Sequence, residues 1–307
     1  FRPGVMDRLG IGYAALSAIN PRLVYCGISG FGATGPMAGR PSFDIVTQAL
    51  SGAMSVNGEP GQPPVKLGLP LGDLVGGIYG SIGVLAALNE RHATGRGRKI
   101  DLSLLDGLIG MLGYLAQLYF VNGRSPGPVG TRHPNLVPYG AFKASDGYIV
   151  IACLTEEFWH NLARAIGQPD LPADARFKDF PTRLGNREAL DAIVQAAIAE
   201  RTVADWMTIL DEHDVPHAPI LSVGQALDHP NTAARGMVET VTHPTVGEMR
   251  LVGRPIRYEG APQAPLAPPP LHGENSAAIL GELLGMDAAE LDRLVAAGAV
   301  VRHGDPT

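Results

Sequence analysis

The sequence predicts an α/β fold with a region of different character in its middle, and three stretches carry that reading. "RLVYCGI" (22–28) is a continuous apolar run of strand length that ends in the glycine-rich "SGFGATGP". "LVGGIYGSIGVLAALNERH" (74–92) has the length and composition of a helix, and "GRGRKIDLSLL" (95–105) follows with a basic turn and a second strand. "GRSPGPVG" (123–130) then breaks the chain, and "YGAFKASDGYIVIAC" (139–153) reads as a hairpin around a Ser-Asp-Gly turn. A buried strand feeding a Gly-rich loop is the α/β arrangement in which ligands sit at the carboxyl ends of strands. The loop lacks the GxGxxG spacing, so it is a poor dinucleotide site.

Taken in order, residues 5–19 carry helix-compatible apolar spacing. Residues 43–51 are helical in pattern and end at Gly52. Asp106 starts a second long apolar helix that runs to about Asn122. After the hairpin, helices are expected at 156–166, 187–198 and 204–213. "DVPHAPILSV" (214–223) reads as an extended linker, and residues 236–258 hold two strands around a Pro-Thr-Val-Gly turn. A Pro-rich spacer (262–270) leads to two short C-terminal helices, and no internal repeat is visible.

Composition narrows the class. The 307 residues are 45% hydrophobic and 18% charged, an ordinary soluble globular balance for a chain long enough to divide into domains. The net charge is −6 with scattered Lys and Arg, so nucleic acid is not an expected partner. No metal-ligand spacing stands out. Cys26 and Cys153 each lie in an apolar run and read as buried thiols in a reducing, cytoplasmic setting. No signal peptide is visible, and the apolar stretches 74–88 and 108–121 read as buried helices too short to span a bilayer, so no membrane partner is expected.

The residue that asks for an explanation is Asp73, in "KLGLPLGDLVGG" (66–77). The plain explanation is a helix N-cap, since Asp accepts hydrogen bonds from early backbone N–H groups and suits the positive end of the helix. The sharper one starts from Leu69, Pro70, Leu71, Leu74 and Val75 around it. A carboxylate in an apolar collar is poorly solvated and more nucleophilic. Gly76, Gly77, Gly80 and Gly83 strip one side of the following helix, for close packing or for a large ligand.

At "PLGDLVGG" the sequence resembles the family III CoA-transferases, the formyl-CoA transferase and carnitine CoA-transferase group. The likeness runs through "FRPGVMDRLG", "NPRLVYCGISGFGATGP", "SFDIVTQALSG", "GDLVGGIYGSIGVLAAL", "RHATGRGRKIDLSLLD", "GTRHPNLVPYGAFKASDGYIVIA", "HPNTAARGMV" and "VGRPIRYEGAP", in the family's order. The resemblance implies a discontinuous Rossmann-like large domain (1–105 and a C-terminal return at 229–307), a smaller α+β domain (131–213) and linkers at 106–130 and 214–228. It also implies an interlocked homodimer. The chain opens at Phe1 and looks cut from something longer; the resemblance implies a further N-terminal segment holding the first strands and part of the CoA site.

The resemblance assigns the catalytic nucleophile to Asp73. It implies a CoA-transferase that moves CoA from an acyl-CoA donor to a free carboxylic acid through aspartyl anhydride and aspartyl-CoA thioester intermediates. Coenzyme A is then a substrate, and no cofactor is permanently bound. Gly72 and the start of the following helix are candidate oxyanion donors. Phe1, Arg2 and Arg8 match one stretch that holds the nucleotide, and Pro41, Ser42, Phe43 and Asp44 match a second. Formyl-CoA transferases carry a Lys where this chain has Pro41; Arg40, beside it, is the candidate to meet a phosphate. His133 and Tyr139 are candidates for the acyl end.

Two departures narrow the expectation. The four-glycine active-site loop of formyl-CoA transferases is absent, which points away from oxalate and formate and towards C4–C5 dicarboxylates such as succinate or itaconate. The related alpha-methylacyl-CoA racemases place a catalytic His where this chain has Phe43, a residue that cannot move a proton. The alternatives to a CoA-transferase are therefore a racemase-like enzyme lacking that group, or a non-catalytic acyl-CoA-binding relative whose Asp73 is only a cap.

Overall fold

Glycine decides where the first helical stretch breaks. In the computed structural model, which describes residues 1–304, the pattern at 5–19 becomes two helices, α1 (Val5–Arg8) and α2 (Tyr13–Ile19). Gly10 between them sits at φ +76°, left-handed backbone that a side chain disfavours. The chain then enters β1 (Tyr25–Ser29), the short helices α3 (Asp44–Leu50) and α4 (Ala53–Val56), and the long α5 (Leu71–Thr94). β2 (Lys99–Ser103) returns parallel to β1, with Cys26 opposite Ile100 and Ile28 opposite Leu102. Strand, helix and parallel strand make the expected α/β unit.

α5 packs on β1, β2, α3 and the following helix through its glycine face. A Cβ at Gly76 would overlap Leu104 Cδ2, one at Gly80 would lie 3.0 Å from Ile28 Cδ1, and one at Gly83 would lie 3.3 Å from Ile100 Cγ2. Three of the four glycines are thus explained by close packing; Gly77 faces open space. The opposite face presents Leu74, Ile78, Ile82 and Leu85, all exposed. At 24 residues, α5 is longer than the expected helix, and by length and composition it is apolar enough to cross a membrane. The expectation that this stretch is too short to span a bilayer fails on length.

Residues 104–122 do not form one helix. α6 (Leu104–Gly110) begins two residues before Asp106, where the Ser103 hydroxyl accepts the Asp106 N–H at 3.1 Å. α7 (Tyr114–Asn122) follows after a 73° bend across residues 111–113, in which Gly113, at φ +53°, immediately precedes the second helix.

β3 (Tyr139–Lys143), β4 (Tyr148–Ala152) and β5 (His217–Pro219) form an antiparallel sheet in that order. Its packed face carries Phe142, Ile149 and Ile151. Against it lie α8 (Glu156–Ala165), the short α9 (Phe180–Gly185), α10 (Arg187–Ile198) and α11 (Val203–Glu212), with a 3-10 turn at Leu171–Ala173. Trp159, Leu162, Phe177, Leu190, Val194 and Leu210 are fully buried among them. Each such side chain contributes about 1.5–3 kcal/mol. Arg183 is buried too. Its guanidinium reaches both Glu156 oxygens (3.0 and 2.6 Å) and donates to the Val137 and Phe177 carbonyls, so the buried charge is paired and hydrogen-bonded. The extended segment expected at 214–223 therefore supplies a third sheet strand, and Cys153 lies buried in the same core.

Contacts divide the chain after Pro219. From Ile220 on, α12 (Val223–Leu227) and α13 (Pro230–Ala234) precede a hairpin of β6 (Val238–His243) and β7 (Gly247–Val252). An extended Pro-rich stretch leads to α14 (Ser276–Leu284) and α15 (Ala288–Ala296). The Ser222 and Asp287 side chains start α12 and α15 with reciprocal capping boxes.

Candidate active site

The N-terminus of α5 is not capped from within. The helix begins at Leu71 with Pro70 in the cap position, so Asp73 falls in the first turn and makes no capping hydrogen bond. The cap comes from α3. Asp44 Oδ1 accepts the Gly72 N–H at 2.8 Å, and Asp44 Oδ2 accepts Gln48 Nε2 at 2.7 Å. Gln48 is fully buried and also reads the preceding loop. Its Oε1 accepts the Leu67 N–H at 2.9 Å, and its Nε2 donates to the Leu69 carbonyl at 3.3 Å. A Cβ at Gly72 would press on Thr47 Oγ1 (2.8 Å) and Asp44 Oδ1 (3.0 Å), so glycine is required there.

This arrangement revises three expectations about Asp73. It is not a helix cap, because Asp44 fills that role. It is not desolvated in the single chain: Asp73 is exposed, Leu69 is 67% exposed and Leu74 is 47% exposed. The reason is helical periodicity. Gly72, Val75 and Gly76 turn inward to α3 and α6, which sends Asp73 and Leu74 outward. The Gly72 N–H is committed to Asp44 and is not a free oxyanion donor. The Asp73 N–H, by contrast, has no hydrogen-bond partner among the described residues.

Beside β1 lies a cavity of about 400 Å³, and Phe1, Arg2, Arg40, Pro41, Ser42 and Phe43 line it. The two stretches matched to nucleotide binding thus converge, together with the Ser29–Gly30 end of β1. Neither guanidinium, Arg2 nor Arg40, has an acidic partner among the described residues. Phe43 is 78% exposed, a flat apolar group at the rim. Arg8 lies outside this cavity, and Asp44 spends both oxygens inside the chain. A second cavity of about 390 Å³ shares Phe1, Arg2, Ile28 and Ser29 and reaches Cys26, Lys99 and Asp101. Asp101 shapes that wall by accepting the Ala33 N–H at 3.0 Å, which pins the Gly-rich loop. Cys26 is half-buried rather than buried, and that burial raises its thiol pKa. Asp73 lines neither cavity.

His133 and Tyr139 are neighbours. The His133 ring lies between Tyr114 (centroids 6.1 Å apart, stacked) and Tyr139 (5.2 Å, tilted). Its Nδ1 accepts the N–H groups of Asn135 and Leu136, both at 3.1 Å, which leaves the ring proton on Nε2. Burial and the nearby Arg187 charge hold its pKa down. Arg187 donates to the carbonyls of His133 (2.8 Å) and Pro134 (3.2 Å), fixing the turn. Tyr139 also lines a polar cavity of about 440 Å³ in which Arg132 is tied to Glu188 and Asp191. Among the described residues no group of acids, His and Cys is placed to hold a metal.

Three comparisons with known proteins bear on this site. The profile of the family described as CoA-transferase family III matches residues 1–276. The acetyl-CoA:oxalate CoA-transferase of Acetobacter aceti is 39% identical over 261 residues, covering 85% of this chain and 66% of that protein. The succinyl-CoA:glutarate CoA-transferase of Mus musculus is 32% identical over 301 residues, covering 98% of this chain and 69% of that protein. The chain therefore spans about two thirds of the length of these curated relatives. A solved structure of a CAIB/BAIF family protein from Brucella suis superposes with a TM-score of 0.81 at 36% identity, over 92% of this chain and 74% of that one.

Proposed function

Because the chain belongs to CoA-transferase family III, we propose that it transfers coenzyme A between two carboxylic acids with Asp73 as the nucleophile. The family match carries this reading. It is supported by a cavity lined by Arg2 and Arg40, whose guanidinium groups have no acidic partner among the described residues and suit the phosphates of CoA.

The steps balance without another reactant. A carboxylate oxygen of Asp73 attacks the donor thioester carbonyl, the C–S bond breaks, and CoA thiolate leaves behind a mixed anhydride. The thiolate attacks the aspartyl carbonyl, which releases the donor acid and leaves an aspartyl-CoA thioester. The acceptor carboxylate attacks that thioester and expels the thiolate. The thiolate then takes the acyl group from the new anhydride and frees Asp73. Each carbonyl passes through an oxyanion, and the unpartnered Asp73 N–H is a donor at hand.

Every intermediate hydrolyses, so water must be kept out. Asp73 is exposed in the single chain, and the reading therefore requires a second surface to close over it. A second copy of the chain, as in an interlocked homodimer, would supply that cover. On substrates, the curated relatives are named for oxalate and glutarate. Oxalate accordingly stands beside the C4–C5 dicarboxylates as an acceptor to assay, and the absence of a four-glycine run no longer sets it aside.

The exposure of Asp73 is the one observation that favours a non-catalytic acyl-CoA-binding relative. The experiment separates the two. The protein is incubated with acyl-CoA and hydroxylamine, and the peptide holding Asp73 is weighed. The expected result is a hydroxamate on Asp73, with CoA exchange lost in Asp73→Ala. Exchange that survives Asp73→Ala, or acyl-CoA binding with no exchange at all, overturns the transferase reading. Deuterium taken up at the alpha carbon in heavy water would indicate a racemase instead.

A further inference from the structure

We propose that Gln48 is a positioning residue for Asp73, holding the loop that delivers it; this rests on the reading of Asp73 as nucleophile. Gln48 has no surface to serve. It is fully buried in α3, and its amide bonds three partners that all lie on one route to Asp73. Two are backbone groups of the incoming loop, the Leu67 N–H and the Leu69 carbonyl. The third is Asp44 Oδ2, whose other oxygen holds the Gly72 N–H one residue before Asp73. The amide thus fixes the chain at 67, 69 and, through Asp44, 72. Fully buried Thr47, the residue before Gln48 in α3, lies against Gly72 on the same side.

The physical case is one of precision. Asp73 is exposed and its carboxylate has no hydrogen-bond partner among the described residues, so nothing beyond the helix end orients it. Whatever angle the first turn of α5 takes is the angle at which the nucleophile is presented. A displacement of about 1 Å at a reacting group lowers rates on the order of a hundredfold. An apolar side chain of the same length at 48 would fill the space yet leave the Leu67 N–H and the Asp44 carboxylate without their partner.

The test uses the full chain carrying Gln48→Met, with Gln48→Glu as a second variant. The glutamate keeps the bond from Leu67 and loses the two donated ones. Steady-state CoA exchange and amide hydrogen exchange of the 66–73 segment are both measured. The expected result is kcat lower by about tenfold or more with KM for acyl-CoA within about twofold, since the machinery and not the CoA cavity is disturbed. Amide exchange at Leu67 and Gly72 should rise while that of β1 and β2 stays unchanged. Wild-type kcat in either folded variant, or a loss seen only in KM, overturns the proposal. If the wild type shows no exchange, or Asp73→Ala retains it, the reading of Asp73 has failed instead. The amide data then decide alone whether Gln48 holds the loop, with unchanged protection at 67 and 72 counting against it.

Discussion

Asp44 in α3 accepts the Gly72 N–H at 2.8 Å, so the helix that presents Asp73 is capped by a residue 28 positions earlier in the chain. The cap and the residue it serves thus belong to different elements, and the start of α5 depends on tertiary contact rather than on its own sequence.

Replacing Asp44 by Ala removes that cap and one partner of buried Gln48. Loss of an N-cap costs about 0.5–2 kcal/mol, and an under-satisfied buried amide adds roughly 1 kcal/mol. Urea unfolding should show a lower midpoint with an unchanged slope. A midpoint equal to wild type would mean that Asp44 does not support the helix.

The glycines of the α5 region should divide by what surrounds them. Gly77 faces open space, so Gly77→Ala should stabilise the chain by about 1 kcal/mol through helix propensity. A Cβ at Gly107 in α6 would lie 2.7 Å from Val75 Cγ1, a branched side chain with little rotamer freedom. Gly107→Ala should therefore destabilise by about 1–3 kcal/mol. Thermal melts of the two variants, moving in opposite directions, are the check.

The two thiols should react differently. Burial pushes the Cys153 thiol up to about 12, whereas Cys26 is half-buried beside a cavity. At pH 8 a disulfide reagent should label Cys26 well before Cys153, and both after denaturation. Above its ordinary pKa near 9.0 the unfolded Cys153 loses its proton while the folded one keeps it. The stability this group contributes is complete below pH 9 and is lost as pH rises from there towards 12. Cys153→Ala should flatten that alkaline decline.

His133 should resist protonation. Its pKa is held down by burial and by Arg187, and its Nδ1 is occupied by two backbone N–H groups. The unfolded ring takes up a proton near pH 6.5 before the folded ring does, so stability falls as pH drops below that value. Nitrogen-15 spectra of labelled histidine should show a neutral ring with the proton on Nε2 at pH 6.5. A signal for protonated Nδ1 at that pH would contradict the geometry.

Periodicity made the α/β unit readable, because β1, α5 and β2 each carry a local signature long enough to recognise. The break at Gly113 was not readable, since an apolar run with a glycine fits a continuous helix equally well until φ is known. The β5 strand is not legible because three residues, the last of them Pro219 and preceded by Pro216, carry no alternation; only pairing with β4 defines it. At the site, the motif pointed to Asp73 and to the residues around the Arg2–Arg40 cavity. The apolar neighbours of Asp73 suggested a dry setting, and the structure turns them outward, because composition does not say which side of a helix faces the core. Gln48 left a signal in its spacing four residues after Asp44, one helical turn on the same face.

The register of the two sheets bears on the order in which the chain acquires structure. β3 and β4 close over four residues, Ala144 to Gly147, whereas Cys26 and Ile100 meet from 74 positions apart. Closing the longer loop costs roughly 2–3 kcal/mol more chain entropy. The hairpin is therefore expected to nucleate early, and the parallel pair, whose β1 end lines the Arg2–Arg40 cavity, to arrive late. On the ribosome β1 and β2 emerge first, yet their pairing waits on a 74-position closure, whereas the β3–β4 hairpin can shut as soon as its own residues are free.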